Sequence, residues 1–259
     1  MAVSKQADIT IHPHKRGHVT IAVLGESPFI ARRMSQKAKG ELTLGGRGRK
    51  SIVVRSTVKH DPLAEFLEAP YTRPPGSPTY IAHLGSAFKA ALATAALDSD
   101  GIKKTQIERL VYVEQDYVPI YGIPQVFMSI VRSADINRTP DVRTRAIIAR
   151  WAAVFSVSYT LPLINGTALL NLMDAAGHTS GMGDWRVQHG GSYGRFSVVA
   201  LDNPELLAVM QSGGYDDQRA AMRNPTCYDN ETEELLSWFE SETLLRGMNA
   251  MRRGEEVEV

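Results

Sequence analysis

The 259-residue chain reads as an α+β protein on three observations. HVTIAVLG, residues 18 to 25, alternates apolar and polar positions and stops at a glycine, the pattern of a half-buried strand. YIAHLGSAFKAALATAAL, residues 80 to 97, places Leu84, Phe88, Ala91, Leu92 and Ala95 at helical spacing in an alanine-dense stretch. Both patterns return further along the chain, so strands and helices interleave.

ESPFIARRMSQKAKGELTLGGRGRK begins with Ser27-Pro28, a turn or helix entry, and predicts a short helix followed by a basic glycine-rich loop. SIVVRSTVKH alternates again. YTRPPGSP, residues 71 to 78, is too proline-rich for anything but an exposed connection, so residues 27 to 78 read as an insertion after the first strand. After the alanine-rich helix, IERLVYVEQ and QVFMSIVRS are strand candidates joined through the prolines of DYVPIYGIP. ADINRTPDVRTR reads as an irregular segment, with a loop at about 133 to 149. ARWAAVFSVSYTL is then a long strand, and TALLNLMDAAG a helix that ends at Gly177. GRFSVVAL closes the core as a strand, and NPELLAVMQSGG and ETEELLSWFESETLLRGMNAM form a helical extension over 201 to 259.

The core of residues 1 to 200 therefore runs strand, helix, strand, strand, helix, strand, the order of a ferredoxin-like or RRM-like unit. In that architecture two helices cover one sheet face and leave the other for a ligand or an added layer. No internal repeat or low-complexity tract interrupts it.

A hydrophobic fraction of 43% suffices for a core, no apolar run approaches the roughly 18 residues of a membrane span, and the N-terminus has no apolar leader segment. A cytoplasmic protein with no membrane partner is expected. The lone cysteine, Cys227, excludes an intrachain disulfide and a cysteine-cluster metal site. No Walker lysine motif, dinucleotide fingerprint or Gly-x-Ser-x-Gly turn is present, so no cofactor is expected.

The net charge of +1 conceals a division. Residues 1 to 60 carry twelve Lys and Arg against three Asp and Glu, a net +9, and the remainder carries a net −8. This suggests an anion-binding face, head-to-tail association of unlike surfaces, or a solvated basic arm. Seven cations fall between 32 and 50: Arg32, Arg33, Lys37 and Lys39 in the candidate helix, then Arg47, Arg49 and Lys50 in the loop. Such a cluster suits phosphates, whose contacts position a protein without reading sequence. Arg138, Arg143, Arg145 and Arg150 recur in the second irregular segment, which could reach over a bound strand or meet a neighbouring protomer.

GMGDWRVQHGGSYGRFSVV, residues 181 to 199, holds five glycines beside Trp185, Arg186, Tyr193 and Arg195. Glycines allow positive φ and close backbone approach to a phosphate, and Trp and Tyr faces accept an unpaired base. The alternative is a tight turn in which Trp185 and Phe196 complete the core and Asp184 ties down Arg186 or Arg195. Arg195 and Tyr193 are assigned to the strand and Trp185 to the core. His60 and Asp61 are a weak acid–base candidate, because no second carboxylate with metal-ligand spacing lies near them in sequence and His-Asp-Pro is a common turn start.

Four blocks, GESPFIARR, YIAHLGSAFKAALATAA, the arginine-rich link and GMGDWRVQHGGSYGRFSVV, together resemble the RAMP superfamily, the RRM-like backbone subunits of CRISPR effector complexes. They also resemble a group of tailed-phage proteins that share SPFI..RMSQKAK and GxGDWR....GxYGRF. The likeness spans about residues 18 to 200, with His83 to Lys89 standing where the backbone subunits usually carry a proline. It implies an RRM-like core, a lysine at position 89 that faces the strand, an aspartate near 61 where some members cleave RNA, and, for a phage protein, the cytoplasm of a bacterial host. Residues and resemblance together lead to the expectation of a non-enzymatic protein that binds single-stranded RNA or DNA and stacks head to tail as a homo-oligomer. The other readings are a phage structural protein docking its basic region on an acidic partner, and a RAMP-type nuclease.

Overall fold

The larger sheet is built around β1 (Lys15–Gly25), whose alternation sends Val19, Ile21 and Val23 to one face and Ala22 and Leu24 to the other. The computed structural model describes residues 15–34, 60–132 and 140–252. β1 pairs antiparallel with β9 (Ala152–Leu161) along Lys15–Leu24 and with β10 (Phe196–Val199) along Ala22–Gly25. On its other side β9 carries β5 (Val111–Val113) and then β6 (Tyr117–Tyr121), both antiparallel. Where these two separate, Ser156 donates its amide to Gln115 Oε1 at 3.0 Å, so a side chain stands in for the ladder. β4 (Ile81–Leu84) and β3 (Tyr71–Thr72) complete a sheet ordered β10–β1–β9–β6–β4–β3.

α2 (Gly85–Ala95) and α4 (Gly166–Thr179) pack on each other and on the Ile21/Val23 face, burying Phe88, Leu92, Leu169 and Met173. The helix predicted from residue 80 begins at Gly85, and its first residues form β4. A Cβ on Gly85 would lie 1.9 Å from the Gln115 carbonyl oxygen, so only glycine can make this strand-to-helix turn. Gly177 is likewise not a helix end: α4 runs two residues further, and Gly177 brings it against the Phe196 carbonyl, 1.9 Å from where a Cβ would stand.

Two expectations fail on the period of the sequence pattern. IERLVYVEQ is not one strand, because its first half belongs to α3 (Lys104–Leu110), with buried Ile107 on the inner face and the Lys103 amide held by Gln106 Oε1. PDVRTRAII is not irregular but β8 (Pro140–Ile148), which forms a hairpin with β7 (Pro124–Arg132). Ala146 and Ile148 join the main core while Arg143 and Arg145 alternate with them, a period of two hidden by its charged positions. β2 (Phe29–Ala31) pairs with β8 in a second sheet ordered β2–β8–β7, so the helix predicted there is a strand up to Ala31. Lys37, Lys39, Arg47, Arg49 and Lys50 lie outside the described residues. α1 (Pro62–Glu68) packs beside this sheet.

The other face of the main sheet receives an added layer. α5 (Pro204–Ser212) sets Leu206 and Val209 on Ala22 and Ala152. α6 (Tyr215–Arg223), which the sequence reading missed, buries Gln218 completely. That side chain accepts from the Ile81 amide at 2.8 Å and donates to the Ile120 and Gly122 carbonyls at 2.7 and 2.9 Å. α7 (Asn230–Arg252) begins on β7, where Thr232 Oγ1 accepts from the Met128 amide, and packs Leu235 and Leu236 on the core. Further along it Trp238, Leu244 and Leu245 are exposed. Among the described residues no helix is long and apolar enough to cross a membrane.

Gln218→Leu keeps the volume but strips three buried backbone groups of their partner. It is expected to lower unfolding free energy by about 3 kcal/mol in urea titration, and a change below about 1 kcal/mol would mean that these groups find other partners.

Candidate nucleic-acid interface

The glycine-rich segment folds back on itself and docks on the chain between β1 and β2. Its amides turn inward: Met182 donates to the Gly194 carbonyl at 2.8 Å, Asp184 to Ile30 at 2.9 Å and Gly194 to Pro28 at 2.8 Å. Gly190 and Gly191 close the tip on Val187 and Arg186. The expected phosphate cradle of loop amides is therefore not the use these glycines serve. Gly194, at φ +70°, is one position that demands glycine, since a Cβ there would stand 1.7 Å from the Met182 carbonyl oxygen.

This docking carries Asp184 between two guanidinium groups. Arg32, just past β2, donates Nη1 to Oδ1 at 3.1 Å, and Arg145, on β8, donates Nη1 to Oδ2 at 3.0 Å. Arg145 Nη2 donates to Ser129 Oγ at 2.8 Å, while its Nε is buried without a hydrogen-bond partner. Asp184 thus ties Arg32 and Arg145, not Arg186 or Arg195. The arginine expected in an irregular loop segment is 5% exposed on a strand. Burial pushes its guanidinium below the ordinary value, Asp184 opposes that, and the nearby Arg32 and Arg143 add to it.

Aromatic rings surround this charge. The Arg145 guanidinium carbon lies 5.1 Å from the Trp185 ring centre and 5.9 Å from that of Phe127. Trp185 and Tyr193 are parallel within 8° at 6.0 Å. Tyr193 and Tyr228 both lie against Phe127, at 6.1 and 5.8 Å. Burial raises the Tyr193 hydroxyl pKa, with Tyr228 and Asp229 acting the same way and Arg145 against them.

Trp185 corrects the assignment made from sequence. Phe196 is buried as expected, but Trp185 is 40% exposed and sits at φ +56°, the left-handed region that residues with a Cβ rarely occupy.

The structure brings Arg32, Arg145 and Tyr193 together, with Arg143 close enough to act on Arg145. Arg186 binds Gln188 Oε1 through Nε and Nη2, and Arg195 is exposed, its amide on Ser27 Oγ. Arg33 turns elsewhere, onto the Tyr71 ring at 5.7 Å. Lys89 is half-buried on α2, in the helix layer. His60 and Asp61 do not pair: Asp61 caps α1 through the Ala64 amide, and His60 bridges Glu65 at 2.7 Å and Asp141 at 3.1 Å. Sequence reasoning missed Phe127, Ser129, Tyr228 and the hub role of Asp184. Only the alternation Phe127/Ser129 against Arg143/Arg145 offered a signal for the first two.

His83 lies beneath, edge-on to Phe29 at 5.2 Å, its pKa lowered to about 4 by burial and then by the Arg186 charge.

The chain matches no protein-family model, and no curated protein shows significant similarity to it.

Asp184→Ala strands a buried guanidinium beside two others. It is expected to cost about 2–3 kcal/mol, below the roughly 3–5 kcal/mol of a fully buried pair, since the carboxylate keeps 19% of its surface. Adding Arg145→Met should restore most of the loss in urea unfolding; a double variant as unstable as the single one would show that the charge is not the cause. His83 sets a separate pH dependence. Its folded pKa of about 4 lies below the ordinary histidine value of 6.5, so its contribution is complete above 6.5, declines as pH falls and is gone below 4. The loss is on the order of 3 kcal/mol, and His83→Phe should remove that slope from the stability–pH profile.

Proposed function

We propose that the protein is a non-enzymatic, single-strand nucleic-acid-binding protein with a ferredoxin-like core of RAMP type. The observation that carries the reading is the charge balance around Asp184: one carboxylate is shared by Arg32 and Arg145, and Arg143 adds a further guanidinium. This surplus lies on the second sheet and its docked loop, among rings that favour an unpaired strand over a small anion. Phosphates of a single strand supply the missing negative charge, and the basic residues between 32 and 50 extend the same sign along the chain.

The core reading is supported by the order β10–β1–β9–β5, antiparallel throughout, with α2 and α4 as crossovers on one face. The free face is layered by α5, which moves the strand site from that part of the sheet to the second sheet. Copies stack head to tail as a homo-oligomer, the net −8 of the later residues meeting the net +9 of the first sixty.

Binding of unstructured RNA and DNA oligonucleotides, followed by fluorescence anisotropy across a salt series, tests the reading. About four phosphate contacts give a log–log slope near −3. Sedimentation of the same mixtures should show more copies per oligonucleotide as its length grows. Salt-insensitive binding, or none to either polymer at about 50 mM salt, would overturn it.

A further inference from the structure

We infer that Trp185 is a stacking platform for an unpaired nucleobase, an assignment that rests on the strand-binding reading. The indole does not belong to the core, being 40% exposed, and its backbone sits at φ +56°. Glycine would fit that conformation without strain, so the geometry of the loop does not account for the ring. What the ring does touch is preorganised. Arg145 lies 5.1 Å from its centre and is pinned by Asp184 and Ser129, and Tyr193 is parallel to it at 6.0 Å. A base adds to this cation–aromatic stack on the surface that Trp185 leaves open, with no side chain to be ordered first. Arg32, bonded to the residue before Trp185 and 55% exposed at its side chain, sets an open cation at the loop for a neighbouring phosphate. Every base has a face to stack, and the platform therefore tolerates sequence.

The test compares an unstructured oligonucleotide with an abasic one of equal length, using wild type, Trp185→Asn and Trp185→Phe. Asn accepts the left-handed backbone, so the ring is lost without loss of the loop. Trp185→Asn should bind the base-bearing strand roughly 5- to 150-fold more weakly, with the wild-type salt slope, and the abasic strand as wild type does. Trp185→Phe should stay within about threefold of wild type. In a Trp238→Phe protein, where Trp151 is buried, the remaining exposed indole should lose fluorescence on adding the base-bearing strand and not the abasic one. Unchanged affinity of Trp185→Asn with the salt slope intact, or no fluorescence change, overturns the platform and leaves strand binding standing. Failure of wild type to bind either oligonucleotide overturns the strand-binding reading, and the platform with it.

Discussion

Trp151 is fully buried between β8 and β9, and both sheets hang on its indole. Phe29 of the small sheet lies 5.3 Å from it and Phe196 of the large sheet 6.0 Å. Its Nε1 donates to the Ser27 carbonyl at 2.8 Å, and its carbonyl accepts from the Gly25 amide at 2.8 Å. Gly25 leaves the room, because a Cβ there would stand 2.2 Å from Nε1. The end of β1 and the starts of β2, β9 and β10 are thereby fixed to one rigid ring. The loop at the candidate interface inherits its position from this joint, since it docks on Pro28 and Ile30, within the segment that Trp151 holds.

From that anchor the electrostatics follow. The loop arrives with one carboxylate, and β2 and β8 have already brought two guanidinium groups within reach of it. Asp184 permits Arg145 to be buried, yet leaves the neighbourhood positive. A guanidinium so enclosed makes a poor phosphate clamp, as little of it is open to a ligand. It makes a good support, because its two bonded ends fix the plane against which aromatic rings pack. Contact with solvent anions falls to Arg32, whose side chain is 55% exposed.

The α+β class and three strands of the large sheet were legible from period alone: β1, β9 and β10, like α4 and α5, are found where alternation or helical spacing placed them, whereas β3 and β6 lie in stretches read as proline-rich connections and β4 in one read as helix. What the sequence hid was anything set by partners distant in the chain. β8 reads as polar although its Arg145 answers to Asp184, some forty residues later, and not to water. α3 reads as a strand because Val111 and Val113 continue its apolar run without a break. The glycines at 181 to 194 were legible as special backbone, but their direction was not, since the carbonyls they serve belong to α4, to the loop itself and, for Gly194, to Pro28 before β2. Trp185 was misassigned for the same reason. A large ring beside glycines suggests burial, and only the left-handed φ forced by the docked loop turns it outward.

The interface is thus composed of pieces that have no affinity for one another until the chain is folded. Arg32 leaves β2, Phe127 and Ser129 lie on β7, Arg145 lies on β8, and Trp185 and Tyr193 sit on the loop, while Tyr228 closes the far side of Phe127. Burying Arg145 near Arg32 and Arg143 costs desolvation first and repulsion after it, and Asp184 opposes both. On the strand-binding reading the repulsion has a use. A polyanion that neutralises the surplus binds the folded arrangement and not the unfolded chain, in which these arginines are dispersed. On that reading ligand binding and consolidation of the β7–β8 hairpin against the loop are one equilibrium, because the polyanion favours the only state in which these arginines are gathered.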